Sequence, residues 1–188
     1  MKRKIKTLRK ITLLSLFLLL TGQVFAQDIF SAVESNDLLA VKYLLNKGAD
    51  VNARDKEGNT PLMNAAKNGQ KRMAAYLLQG DANADLKDKA GNTALILAIN
   101  NGHDDEIDML VNLNADLNIK NKNGETALIV AVNTGDKAAV KSLLGYGANA
   151  KIEDKNHKTA LDYAKSKDDT ELTSLLDGTL PKDTAKSK

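Results

Sequence analysis

Gly58 to Ala66 reads GNTPLMNAA, and the skeleton of that stretch returns three more times at one fixed interval. Thr60, Thr93, Thr126 and Thr159 stand 33 residues apart; Leu62, Leu95, Leu128 and Leu161 keep the same step, as do Ala65, Ala98, Ala131 and Ala164. Chance does not hold three columns in register through four copies. Self-similarity at a period of roughly 20–50 residues is the mark of a stacked repeat array, in which one unit cannot bury its apolar face alone.

Within one period the local chemistry is readable. Ala49 to Asn59 is polar and contains Asp55-Lys56-Glu57-Gly58, which is turn chemistry. Thr60 offers a hydroxyl as N-cap, and Pro61 suits the first helical position, where its missing N–H has no intrahelical partner anyway. This predicts a helix from Pro61 to about Lys67, a break at Asn68-Gly69, and a second helix from about Lys71 to Gln79.

Upstream, residues 28–46 (DIFSAVESNDLLAVKYLLN) predict two short amphipathic helices parted near Ser35-Asn36-Asp37, the second ending at Lys47-Gly48. Downstream, the same grammar runs through three further copies. Gly58, Gly91 and Gly124 recur where a positive φ would suit glycine, and His157 takes that place in the last copy. The last copy also reads as one residue short between Ala164 and Leu175, where an interhelical glycine is expected, so it is taken as a degenerate terminal repeat.

These residues resemble the ankyrin repeat. The resemblance rests on Thr60-Pro61-Leu62 with Ala65-Ala66, on Gly48-Ala49-Asp50-Val51-Asn52, and on Asp55 with Gly58, and it spans residues 28–178. It implies an all-α solenoid of stacked helix–turn–helix units with β-turn fingers and about five repeats: caps at 27–53 and 153–178 around 54–86, 87–119 and 120–152, then a disordered tail at 179–188. The sequence departs from the family pattern at its histidine after Thr-Pro-Leu, which is Met63, Ile96, Ile129 and Asp162 here, and proline is kept only at Pro61. The loop hydrogen bonds of that histidine are therefore not expected.

Charge must be read without the first residues. Lys2, Arg3, Lys4, Lys6, Arg9 and Lys10 precede the apolar run Ile11–Leu20 and a small residue at Ala26, which reads as a secretory signal peptide over residues 1–26. Its removal leaves 21 basic against 24 acidic residues, so the formal charge changes from +3 to −3. With 4% aromatic residues and no basic excess, nucleic acid is not an expected partner. There is no cysteine, which excludes disulfides and a lipidated cysteine. No second spanning run follows, so the expectation is a soluble, monomeric protein of the periplasm or the medium, without membrane attachment once the signal is gone.

No constellation of catalytic residues stands out, and neither a cofactor nor a metal is expected. His103 follows Gly102, where the repeat pattern commonly carries histidine, and is assigned a structural or solvated role; His157 is expected at an exposed turn. Asp104-Asp105-Glu106 with Asp108 lacks the alternating ligands and central glycine of a calcium loop and reads as acid at a helix N-terminus.

What remains is surface. In ankyrin-like stacks the fingers and the first helix of each pair line the face that partners use. On this chain that implies Arg54, Lys56, Glu57 and Asn59; Lys67; Lys87, Lys89 and Asn92; Asn100; Lys120, Lys122, Asn123 and Glu125; and Lys155 with Lys158. A lysine recurs at every fingertip, which suggests a basic ladder meeting an acidic surface on another protein; the competing reading is a common turn lysine offset by Asp55, Asp88 and Asp154. The expected function is a non-catalytic protein-binding scaffold. The resemblance leaves three settings open: a helper of a periplasmic enzyme such as a catalase, an immunity factor for a toxin, or a secreted effector acting on a host. An enzyme such as a small hydrolase is the rival class and needs ionisable groups buried together in a cleft. An architectural spacer is a third.

Overall fold

The computed structural model describes residues 28–179, which form ten helices and no strand. The expected signal peptide (1–26) and the tail beyond Thr179 lie outside the described residues. Two compact units divide at Ala49/Asp50. No helix among the described residues is long and apolar enough to cross a membrane.

The first unit contains α1 (Ile29–Glu34) and α2 (Leu38–Asn46). Both start on an aspartate: Asp28 accepts the Ser31 N–H, and Asp37 accepts those of Leu39 and Ala40. Asn36, at φ 54°, makes the left-handed turn between them. Asparagine tolerates that region better than most residues because its short side chain bonds locally. Ile29, Ala32, Val33 and Val41 are buried.

The second unit contains four helix pairs: α3 (Pro61–Lys67) with α4 (Lys71–Gln79), α5 (Ala94–Asn100) with α6 (Asp104–Asn112), α7 (Ala127–Thr134) with α8 (Lys137–Gly145), and α9 (Ala160–Ser166) with α10 (Thr170–Asp177). The first helices pack in a row, α3 on α5 on α7 on α9, and the second helices form a parallel outer row. Every inner helix starts in the same way. The hydroxyl of Thr60, Thr93, Thr126 or Thr159 accepts the N–H three residues on, and the first three of these threonines are buried. A helix start in an apolar layer needs its own acceptor, since an unpaired N–H there costs about 1–3 kcal/mol. The departures from the family histidine leave part of this cap intact. The Met63 sulfur accepts the Thr60 N–H (3.3 Å), and Asp162 accepts the Thr159 N–H (2.9 Å).

The leucine and alanine columns fill the layer between repeats. Leu62, Leu95, Leu128, Ala65, Ala98, Ala131 and Ala164 are each at most 1% exposed. Small alanines let short helices approach closely, and leucines fill the remaining gap. The outer row adds Met73, Leu77, Ile107, Leu110, Val140, Leu143 and Leu172, all buried.

The last repeat corrects one expectation. No residue is missing from it, because the outer helices begin at Lys71, Asp104, Lys137 and Thr170, still 33 apart. Asp168, at φ 53°, occupies the left-handed position held by Gly69, Gly102 and Gly135. A search for a glycine there reads as a gap. The column of Met73 and Ala139 continues to Leu172, and Glu106 also falls in it, only 4% exposed. Glu106 is therefore a buried side chain in an otherwise apolar column as well as the helix-start acid that the sequence suggested.

A second recurring device lies in the loops. The side chains of Asp50, Asn83, Asp116 and Asn149 each accept the N–H two residues on. Those next residues but one then reach across repeats: Asn52 accepts the Asn83 N–H (2.8 Å), Asp85 that of Asp116 (2.9 Å), and Asn118 that of Asn149 (2.9 Å). Lys151 follows in the same column and has no acceptor, so the ladder ends there. The chain's preference for Asn or Asp in that column is thus a requirement for a short side-chain carbonyl facing the next loop.

Candidate functional site

The fingers are built on a carboxylate or amide at their base. In the first, the Asp55 N–H donates to the Asn59 carbonyl, and the Asp55 carboxylate accepts the N–H groups of Glu57 (2.9 Å) and Asn59 (2.7 Å). Asp88, Asn121 and Asp154 repeat this arrangement. Gly58, Gly91 and Gly124 sit at φ 82–83° at the turn, and exposed His157 adopts φ 57° in the last finger.

Neighbouring fingers are joined by single backbone bonds. Lys89 N–H donates to the Glu57 carbonyl (3.0 Å), Lys122 to Ala90 (2.9 Å), and Lys155 to Asn123 (3.1 Å). The glycines allow this approach: a Cβ at Gly91 would lie 2.6 Å from Lys122 N, and one at Gly124 2.7 Å from Lys155 N. Among the described residues no finger follows that of His157. The finger bases also touch the inner helices. Asn64 of α3 donates to Asp55, Asn133 of α7 to Glu125, and Tyr163 of α9 to Asp154 (2.5 Å). Finger crest and inner helices therefore make one continuous face.

The structure distinguishes two groups among the basic residues assigned to this face. Arg54 bridges fingers, donating to the Gly58 carbonyl (2.8 Å) and the Lys87 carbonyl (2.6 Å), and Lys87 donates to the Lys120 carbonyl (2.9 Å). These two act as cross-links, which sequence reasoning did not foresee. Lys56, Lys89, Lys122 and Lys155 are exposed at the crest, and among the described residues none has an ion pair or a side-chain hydrogen bond. The outer helices behave differently: Lys71 pairs with Asp105, and Lys137 and Lys141 both pair with Glu171. Lys67 and Lys120 are exposed, as are Asn100, Asn123 and Glu57. The Lys158 ammonium lies 5.4 Å above the Tyr163 ring.

The finger acids are turned inward. Burial pushes the Asp55 carboxyl up, but hydrogen bonds from the Asn59 side chain, the Asn59 N–H, Asn64 and the Glu57 N–H outweigh it and hold the group below the usual aspartate range. Asp154 behaves alike: burial raises it, and the Tyr163 hydroxyl with the Lys158 and Asn156 donors lower it further. In the third finger the acid has changed place. Asn121 stands where the others carry aspartate, and Glu125 stands where Asn59 and Asn92 stand. Glu125 accepts from Asn121 (2.9 Å), Asn123 (3.2 Å) and Asn133 (3.3 Å), so the acid–amide pair survives with its members exchanged. Asn59 and Asn92, half-buried, each donate to their own finger aspartate.

Sequence reasoning missed one column of this face: Asn64, Leu97, Val130 and Tyr163, each three residues into an inner helix. The column holds an amide, two aliphatic side chains and a phenol, so no repeat pattern singles it out. His103 has a structural role, with Nε2 3.1 Å from the Lys67 carbonyl and its ring against Gly69, where a Cβ would sit 2.8 Å away. Asp105 is 82% exposed, and no group of three or more potential ligands for a metal occurs among the described residues.

The stacked helix pairs, the joined fingers and the side-chain-rich face they carry define a helical repeat array. The family model described as ankyrin repeats (3 copies) matches residues 29–121 and again 107–180, and the chain belongs to that family. Repeats of this family are generally protein–protein interaction modules, typically non-catalytic ones. No curated protein matches the chain.

Proposed function

We propose that this chain is an exported, monomeric, non-catalytic module that holds an acidic surface of another protein against its finger crest and inner-helix face. One observation carries the reading. The base aspartates Asp55, Asp88 and Asp154 are engaged by the backbone and amide neighbours of their own fingers, whereas the four crest lysines project without partners and Glu57 is an exposed acid beside them. A lysine column paired with its aspartates would present little field. A column whose aspartates are folded back beneath it presents cations outward, which speeds encounter with an acidic partner more than it fixes affinity.

Export rests on the basic and apolar character of residues 1–26, and the monomeric state on Lys151, which ends the loop ladder at the last repeat. The test uses the triple variant Lys56→Glu, Lys89→Glu, Lys122→Glu beside the unaltered chain. Proteins captured from the producing cell's own envelope should be lost from the variant and should elute from the native chain as salt rises. Capture that survives in both variant and high salt would sink the proposal. An N-terminus at Gln27 in the protein recovered from cells would support export, and one at Met1 would refute signal cleavage.

A further inference from the structure

The lysine column has a spacing as well as a sign. Each finger consists of two backbone arms, and each joins the next through one N–H···O=C bond, from Lys89, Lys122 or Lys155. Hydrogen-bonded arms lie about 4.8 Å apart, so one finger advances the column by about 9.6 Å, and Lys56 to Lys155 spans about 29 Å. Around the lysines the crest offers Glu57, Ala90, Asn123 and Asn156. None is an aromatic or an arginine, the residues that anchor the desolvated centre of protein interfaces. The crest is therefore suited to contact by charge along a line.

We infer that the crest binds a linear acidic segment in extended, polyproline-like conformation, with carboxylates at every third residue so that one meets each finger. A polyproline helix rises ~3.1 Å per residue and repeats its face every three, giving ~9.3 Å per contact and a mismatch of only about 0.9 Å over the column. An α-helix takes seven residues to return to one face, advances ~10.5 Å, and drifts ~20° each time. A β-strand reaches ~10 Å in three residues but turns that side chain to the opposite face. The segment needs about ten residues to reach all four lysines. This inference rests on the acidic-partner reading above and adds register to it.

The experiment uses the full chain and two fluorescent peptides of identical composition: four repeats of Glu-Ala-Pro, and the same residues with the four glutamates contiguous at one end. Fluorescence anisotropy at low ionic strength should show the spaced peptide binding about ten-fold more tightly. Lys89→Glu with Lys122→Glu should abolish that preference while leaving helicity and the unfolding midpoint in place. Equal binding of both peptides, lost in the double variant and in salt, would overturn the register and leave the acidic-partner reading standing. Binding of neither peptide, or binding indifferent to the variant, would overturn both.

Discussion

Replacing Gly91 by alanine tests the geometry of the fingers most directly. At φ 83° an added Cβ is strained by itself, at about 1–2 kcal/mol for a left-handed L-residue. The same Cβ would lie 2.6 Å from Lys122 N and 3.0 Å from the Asn121 carbonyl carbon, so the neighbouring finger must retreat. Retreat breaks the Lys122 N–H bond to the Ala90 carbonyl, 2.9 Å in the native fold, worth about 1 kcal/mol net. The expected loss is about 2–3 kcal/mol, or a fall in Tm of very roughly 5–10 °C for a chain of this size. Gly58→Ala shares the strain but meets Lys89 N only at 3.2 Å, so it should cost about 1 kcal/mol less. His157→Gly, at a finger that no other follows among the described residues, should cost nothing and gain a few tenths of a kcal/mol. Urea unfolding followed by circular dichroism measures all three. Gly91→Ala within about 0.5 kcal/mol of the native chain, or equal to Gly58→Ala, would refute the claim that the fingers touch through these turns.

Further outcomes follow from other features. Glu106→Met should stabilise the chain by about 1–2 kcal/mol, since it restores an apolar side chain to the column of Met73 and Leu172; a lower Tm would show that the carboxylate has a favourable partner. Tyr163→Phe removes the hydroxyl that holds the Asp154 carboxyl down and should cost about 1.5 kcal/mol at neutral pH. Because a depressed carboxyl contributes stability above its unfolded pKa and loses it as pH falls through the folded value, Tyr163→Phe should also move acid unfolding to higher pH; an unmoved acid midpoint would contradict this. Asp104 has the opposite sign: burial and then the Asp136 carboxylate raise it, so its ionised form opposes folding at neutral pH. Asp104 is nonetheless exposed, and solvent screening leaves little of this in stability, so Asp104→Asn should gain at most about 0.3 kcal/mol at pH 7, with the gain vanishing below about pH 4, and unfolding curves at both pH values decide it.

Much of the second unit was legible because its determinants are local. Thr60, Pro61 and Asn68-Gly69 mark a helix start and stop by their own chemistry, and the helix from Pro61 to Lys67 is bounded as those residues require. The finger lysines were equally visible, since they recur at the repeat interval. What escaped reading depends on neighbours in the next repeat. Arg54 as a cross-link needs the Lys87 carbonyl, and Asn118 as an acceptor needs the Asn149 N–H 31 residues on, an offset that a 33-residue comparison does not align. The exchange between Asn121 and Glu125 looks like two unrelated deviations until their side chains are seen 2.9 Å apart. Asp168 was misread because the backbone needs a conformation there, and more than one residue type can supply it.

The loop ladder has a direction. Up to Lys151, each repeat presents an acceptor to its successor, through Asn52, Asp85 and Asn118, and the successor answers with a loop N–H. An internal unit such as residues 87–119 therefore carries both the donor and the acceptor of the ladder, and a tandem copy would again set a side-chain acceptor opposite a loop N–H. The protein's length is then a variable that gene duplication can adjust in whole steps. With each added step the lysine column gains one more rung, and the reach of the molecule grows while its chemistry stays constant.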